Sequence, residues 1–146
     1  MKEIRIFLDH IGIATRSLDE DSSFWKLIGL IQSEEDEINQ EQGVNIRFFS
    51  TGDNTLNSVS PRIELLEPRG PDTPIGRFLE KRGPGIQQIC FRVDDLESMI
   101  QHLISNNIRM INETPKQGAG GCLIAFVHPS STGGVLVELS QIESLE

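Results

Sequence analysis

Short apolar runs alternate along the chain with segments of helical periodicity, and the same order of elements occurs twice. LDHIGIATRSLDEDSSFWKLIGLI (8–31) aligns with IQQICFRVDDLESMIQHLISNNIRMI (86–111) at a shift of 78 residues. In each copy, a strand pattern with a period of two residues leads into a helix with apolar residues on one side. Because an internal repeat defines the folding unit, the sequence predicts two similar modules.

Local signals mark the ends of three predicted helices. Each helix starts at a residue whose side chain can cap the first backbone N–H groups, and each ends near a glycine or asparagine. The predicted starts and ends are Ser17 (with Glu20 completing a capping box) and Gly29, Thr73 (with Pro74 at the first helical position) and Gly83, and Asp94 or Asp95 and Asn106 or Asn107.

Three further strands are predicted after each helix of the repeat. They span 28–33, 43–50 and 60–68 in the first copy and 108–113, 122–129 and 133–140 in the second. Both copies therefore have the order β-α-β-β-β, which predicts an α+β fold. We expect a single domain over 1–146, with module 1 at about 6–68, a linker helix at about 72–83 and module 2 at about 85–140.

Four polar residues interrupt the apolar strands at matched positions. His10 and Gln88 lie on the first strand of each copy, and Glu64 and Glu138 lie on the last. If the modules pack with approximate two-fold symmetry, the four side chains converge on one cleft. One imidazole, one amide oxygen and two carboxylates can bind a divalent metal ion. A single histidine on an apolar strand is more often a core residue, so the matched positions carry the prediction.

Composition and charge narrow the classes of partner. The chain has 146 residues, 37% hydrophobic and 24% charged, as in soluble globular proteins. No apolar run is long enough for a membrane span and no signal peptide is recognisable, so we expect a cytoplasmic protein. The net charge of −9 argues against nucleic acid. Cys90 and Cys122 lack metal-site spacing and are predicted to be buried thiols. An anionic ligand would need cations from a small set: Arg47, Arg62, Arg69, Arg92 and Lys116.

Seven segments carry a resemblance to a known family: LDHIGIAT, EQGV, IELLEP, TPIGRFLEKRG, CFRVDDLE, GAGG and FVHPSSTGGVLVEL. With these segments the chain resembles the vicinal oxygen chelate superfamily, and within it the methylmalonyl-CoA epimerases. The resemblance implies paired modules that form a cupped mixed sheet around a metal-binding cleft, and a homodimer. It also implies one divalent ion (Co, Mn, Ni, Zn or Fe) at His10, Glu64, Gln88 and Glu138.

The resemblance further implies the reaction, which is epimerisation of methylmalonyl-CoA or a related 2-substituted acyl-CoA. A base removes the proton next to the thioester, and the metal stabilises the resulting enolate. Glu138 is the candidate base because it lies on a strand beside the predicted metal. The candidate substrate-binding residues are Arg47, Gly118, Gly120, Gly121 and His128; the glycines offer backbone N–H groups to an anion, and His128 is alternatively a turn residue.

The sequence departs from the epimerase pattern at two places. Gln88 stands where the family has histidine, and an amide oxygen is the weaker ligand for the later transition metals. In the family a glutamate lies two or three residues after the QGV turn, whereas this chain has Asn45, Ile46 and Arg47 there. The second acid/base is therefore unassigned. Two other functions therefore stay open: a glyoxalase-like lyase or isomerase acting on a thiol adduct, and a metal-free small-molecule binding protein. A ring-cleaving dioxygenase is disfavoured because its iron site needs two histidines and only His10 is available.

Overall fold

The computed structural model describes residues 3–52 and 60–142. The chain forms two compact units. One runs from His10 to Gln87, and the other combines the residues up to Asp9 with those from Gln88 onward. We call them the first and second unit. No helix among the described residues has the length and apolar character needed to cross a membrane.

Nine strands and three helices make up the described chain. In order they are β1 Ile6–Ala14, α1 Leu18–Leu27, β2 Ile31–Gln32, β3 Glu37–Asn39, β4 Val44–Ser50, β5 Arg62–Pro68, α2 Pro74–Arg82, β6 Gly85–Val93, α3 Leu96–Ser105, β7 Lys116–Gln117, β8 Cys122–Val127 and β9 Val137–Ile142. Short 3₁₀ turns occupy 119–121 and 129–131. The predicted α+β class is confirmed.

Strand pairing follows the same plan in both units. In the first unit β5 runs parallel to β1 and antiparallel to β4, and β4 also pairs with β2 and β3. In the second unit β9 runs parallel to β6 and antiparallel to β8, and β8 also pairs with β7. Each unit thus contains a mixed sheet in which the last long strand lies between the first strand and the strand before it.

The register of these pairs confirms the sequence repeat residue by residue. Gly12 lies opposite Glu64 across β1 and β5, and Cys90 lies opposite Glu138 across β6 and β9. Gly12 and Cys90 are 78 residues apart, and the two glutamates are 74 apart, which are the shifts of the alignment. The two glutamates therefore occupy equivalent positions in the two units.

The predicted helix starts are confirmed by their capping hydrogen bonds. The side chains of Ser17, Thr73 and Asp95 accept a hydrogen bond from the backbone N–H three residues further on, at 3.2, 3.0 and 3.0 Å. Gly83 ends α2 with a φ of 74°, a left-handed conformation that favours glycine. Capping chemistry in the sequence thus fixed where the helices begin.

Two predicted strands are much shorter than expected, and two short strands were not predicted. The 28–33 strand is reduced to β2, and the 108–113 strand is reduced to a single bridge between Met110 and Val127. The Asn112 side chain accepts the hydrogen bond of the Phe126 N–H at 2.9 Å, so it replaces the backbone carbonyl of a continuing strand. The unpredicted strands β3 and β7 extend the sheets beside β4 and β8.

Each helix of the repeat packs on one face of its own sheet. In the first unit, Leu18 and Trp25 of α1 pack with Ile13, Phe49 and Leu65. In the second unit, α3 residues pack with odd-numbered positions of β6, β8 and β9, among them Phe91, Val93, Ala125 and Leu139. Because side chains alternate along a strand, the even-numbered residues of these strands lie on the opposite faces. We call these opposite faces the His10 face in the first unit and the Glu138 face in the second.

Candidate active site

The His10 face carries a buried pair of potential ligands. Nδ1 of His10 lies 3.0 Å from Oε2 of Glu64, and the two side chains are only 7% and 6% exposed. Nη2 of Arg62 lies 3.2 Å from the same carboxylate oxygen. His10 and Glu64 meet because they share one face of the paired strands β1 and β5. Arg62 lies opposite His10, and Glu64 is two residues further along β5.

The donor types and their separation fit a divalent metal ion. An imidazole nitrogen and a carboxylate oxygen are both common ligands of such ions. Two ligands that each lie about 2.1 Å from one ion at a right angle are about 3 Å apart. The 3.0 Å between Nδ1 of His10 and Oε2 of Glu64 matches that separation without rearrangement of the buried side chains.

The Glu138 face carries the equivalent pair in the second unit. Glu138 is buried in β9, with Cys90 of β6 opposite it on one side and Phe126 of β8 opposite it on the other. Gln88 is half-buried and lies two residues before Cys90, so it shares this face. Within the second unit, Gln88 and Glu138 thus repeat the placement of His10 and Glu64. Convergence of the two pairs on one ion stays a prediction.

Cys90, which the sequence predicts only to be a buried thiol, is also a residue of this site. Its Sγ lies 3.5 Å from the hydroxyl oxygen of Ser140. Burial raises the pKa of the Cys90 thiol well above its usual range, and the nearby charge of Glu138 raises it further. Cys90 is therefore a neutral thiol beside Glu138. The repeat could have indicated this position, because Cys90 aligns with Gly12 and Gly12 lies opposite Glu64. The predicted burial is confirmed for Cys90 and is wrong for Cys122, whose thiol is only half-buried.

Arg47, a predicted substrate ligand, lies on the helix-covered face of the first unit. Its Nε and Nη2 form a two-pronged ion pair with Asp36, both at 2.8 Å. Its Nη1 also donates to Asp19 at 3.1 Å and to Ser22 at 2.9 Å, both on α1. These contacts join β4 to α1 on the side opposite Glu64. They give Arg47 a structural role. Contact of Arg47 with substrate stays a prediction, and the position of Arg47 on the helix-covered face does not support it.

The other predicted substrate ligands also have local structural roles. Gly120 and Gly121 have φ values of 66° and 74°, which favour glycine. A Cβ at Gly118 would lie 2.6 Å from Cγ2 of Ile124. Nδ1 of His128 accepts a hydrogen bond from the Ser130 N–H at 3.0 Å and so caps the 129–131 turn. Their contact with substrate stays a prediction.

A methionine at position 47 should destabilise the first unit in a pH-dependent way. Arg47→Met removes the charged hydrogen bonds to Asp36, which we expect to lower the free energy of unfolding by about 1.5–3 kcal/mol at neutral pH. The Arg47 hydrogen bond holds the pKa of Asp36 below its usual range. The contribution of this pair is therefore complete at neutral pH and is lost as the pH falls through the folded-state pKa of Asp36.

Urea unfolding of wild type and Arg47→Met, at neutral pH and at several pH values below about 4, measures the difference in their free energies of unfolding. Arg77→Met is the matched control. Nη1 of Arg77 lies 3.6 Å from Oδ1 of Asp72 and both side chains are exposed, so loss of this ion pair should change stability little. A difference between wild type and Arg47→Met that does not shrink in acid would contradict the assignment to Asp36.

Comparison with known proteins places these features in a family. Residues 9–126 match the family model of the glyoxalase/bleomycin resistance protein/dioxygenase superfamily. The chain is 42% identical over 137 residues to the mitochondrial methylmalonyl-CoA epimerase of Dictyostelium discoideum, covering 92% of this chain and 77% of that protein. The crystal structure of methylmalonyl-CoA epimerase from Mycobacterium tuberculosis superposes with a TM-score of 0.82 at 37% identity, covering 94% of this chain and 88% of that one.

A second solved relative contains a ligand. A variant of the Streptomyces coelicolor methylmalonyl-CoA epimerase in complex with 2-nitronate-propionyl-CoA superposes with a TM-score of 0.85 at 32% identity, covering 96% of each chain. These similarities extend over nearly the whole chain. The chain therefore belongs to the glyoxalase/bleomycin resistance protein/dioxygenase superfamily, and within it to the methylmalonyl-CoA epimerase family, so it is an epimerase.

Proposed function

We propose that this epimerase inverts C2 of methylmalonyl-CoA or of a closely related 2-substituted acyl-CoA. The observation that carries the proposal is the buried His10–Glu64 pair at 3.0 Å, whose glutamate has its register-equivalent in Glu138 of the second unit. The relatives named above support the substrate class, since they are methylmalonyl-CoA epimerases and one binds an acyl-CoA analogue. Binding of a CoA thioester is thus the expected first step.

The reacting proton lies on a carbon between a thioester carbonyl and a carboxylate. Its removal places negative charge on the thioester oxygen, so the site must provide both a base and stabilisation of that charge. Glu138 is our candidate base. Its carboxylate is buried and its cross-strand neighbour Cys90 is a neutral thiol, which adds no competing negative charge. Inversion also needs a proton donor on the other face of the carbon, and no residue is assigned to that role.

We further propose that His10, Glu64, Gln88 and Glu138 are ligands of one divalent metal ion. The fit of the His10–Glu64 pair to such an ion and the equivalent placement of Gln88 and Glu138 support this ligand set. When bound, a divalent ion supplies a Lewis acid for the oxygens of the substrate. We also propose that this ion is Co, Mn, Ni, Zn or Fe and that the protein assembles into a homodimer.

Exchange of the C2 proton with solvent tests the substrate and the base in one assay. The purified protein, reconstituted separately with Co or Mn, is incubated with methylmalonyl-CoA in D2O, and deuterium at C2 is followed by mass spectrometry. We expect incorporation of one deuterium per molecule at a rate proportional to enzyme concentration. Absence of exchange with every metal tested, in a protein shown to be folded, would contradict the proposed function.

A histidine at position 88 tests whether this side chain is a ligand. Because imidazole is the stronger donor for the later transition metals, Gln88→His should raise the affinity for Co by roughly tenfold. Titration calorimetry against a competing chelator measures the change. The neighbouring Gln87 points to the other face of β6, so Gln87→His is a matched control that should leave the affinity unchanged. Equal affinities in wild type and Gln88→His would show that residue 88 is not a ligand.

A further inference from the structure

One arginine shares a strand face with the His10–Glu64 pair. Among the described residues of β1, β4 and β5 in the first unit, the His10 face carries a single cation, Arg62, and a single carboxylate, Glu64. Arg62 lies opposite His10 in the register and two residues before Glu64 on the same strand. Strand alternation therefore places its side chain beside the buried pair.

The Arg62 side chain reaches from the buried pair toward solvent. Its Nη2 lies 3.2 Å from Oε2 of Glu64, and its guanidinium carbon lies 5.6 Å from the centre of the Phe48 ring. The side chain is 38% exposed, whereas that of Glu64 is 6% exposed. One side of the guanidinium is thus held by a carboxylate and an aromatic ring, and the side chain is partly exposed to solvent.

The other two candidate arginines of the first unit are engaged elsewhere. Arg47 forms its ion pair with Asp36 on the helix-covered face of the first unit. Arg69 donates to the side chain of Asn45 at 3.0 Å, and Asn45 also lies on that helix-covered face. Within the described part of the first unit, Arg62 is therefore the arginine whose position suits a ligand bound next to His10 and Glu64.

We propose that Arg62 binds the free carboxylate of the substrate and so selects malonyl-type thioesters over uncharged acyl thioesters. The inference rests on the proposed function, because only that substrate class carries a carboxylate on the carbon that loses its proton. A substrate carboxylate that approaches Glu64 is repelled by it, and a guanidinium bound to both carboxylates offsets this repulsion. Fixing the carboxylate also fixes the direction of the C2–H bond relative to the base.

Two unreactive CoA esters isolate the contribution of the carboxylate. 2,2-Dimethylmalonyl-CoA and pivaloyl-CoA have no C2 proton, and they differ only in that a carboxylate of the first is a methyl group in the second. We expect wild-type protein to bind 2,2-dimethylmalonyl-CoA about 10- to 100-fold more tightly than pivaloyl-CoA in titration calorimetry. Arg62→Met should abolish this preference and leave pivaloyl-CoA binding unchanged. Arg62→Lys keeps the charge without the planar fork, so it should show an intermediate preference.

Arg77→Met is the control for loss of one positive charge, and it should keep the full preference because Arg77 is exposed on α2. Equal weakening of both esters by Arg62→Met would show that Arg62 acts by holding Glu64, and it would overturn the proposal. An intact preference in both Arg62 variants would overturn it as well. Arg62→Lys tests the proposal even if Arg62→Met does not fold. Wild-type protein without C2 exchange or CoA-ester binding would overturn the proposed function itself, whereas an active wild type with an unaffected Arg62→Met overturns this inference alone.

Discussion

Glu138→Gln is expected to lower the rate of C2 proton exchange in methylmalonyl-CoA by about 10²- to 10⁴-fold, the usual contribution of a general base. Glutamine has nearly the same shape as glutamate and retains an oxygen that can bind a metal, but it does not accept a proton at neutral pH. The buried position of Glu138 between Cys90 and Phe126 should tolerate this replacement without a change of fold. The variant therefore removes the base and keeps its surroundings.

Exchange measured by mass spectrometry under substrate saturation separates the catalytic step from binding. Glu113→Gln is a matched control, because Glu113 is an exposed carboxylate in the same unit and its loss should not alter exchange. Binding of 2,2-dimethylmalonyl-CoA should change far less in Glu138→Gln than the exchange rate does. An exchange rate within about threefold of wild type would be too small a loss for a general base and would remove Glu138 from that role.

The repeat allowed much of the candidate site to be predicted from sequence. His10 and Glu64 lie on strands that pair within one module, and both are polar residues between apolar neighbours, so their meeting required only the correct order of strands. Strand alternation also places Arg62 on the face of Glu64, because the two residues are two positions apart on one strand. Charge alone does not distinguish Arg62 from the other four candidate cations.

Arg47 shows where sequence reasoning ends. Alternation predicts which residues of β4 share a face with one another, but not which of the two faces is the Glu64 face. That choice depends on the register of β4 against β5, where Phe48, and not Arg47, lies opposite Glu64. Because β4 carries buried apolar residues on both of its faces, among them Ile46 and Phe49, its hydrophobic pattern does not specify that register.

The lost strand after α3 has a different cause. Residues 108–113 have apolar residues spaced for a strand, yet the Asn112 side chain accepts the Phe126 N–H and so ends the pairing after a single bridge. Competition between a side chain and the backbone for one hydrogen-bond partner is decided by local geometry. Hydrophobic periodicity carries no information about it.

Loss of the imidazole at position 10 is expected to weaken metal binding more than any other single change to the predicted ligand set. We expect His10→Ala to lower the affinity for Co by more than about 100-fold, because removal of a residue that only supports a ligand already costs about 10- to 100-fold. Gln88→Ala should cost less, since an amide oxygen is the weaker donor. The rise in the unfolding midpoint on adding metal, measured in the presence of a competing chelator, gives both affinities.

His102→Ala controls for adventitious binding to a histidine, because His102 is exposed on α3. His10→Ala also removes a partner of the buried Glu64, which lowers stability by about 1–3 kcal/mol even without metal. Unfolding midpoints with excess chelator isolate that loss, and the increase in midpoint on adding Co then reports the ligand role alone. An equal increase in wild type and His10→Ala would exclude His10 as a ligand. The 3.0 Å contact between Nδ1 of His10 and Oε2 of Glu64 would then be a buried polar contact that serves the fold.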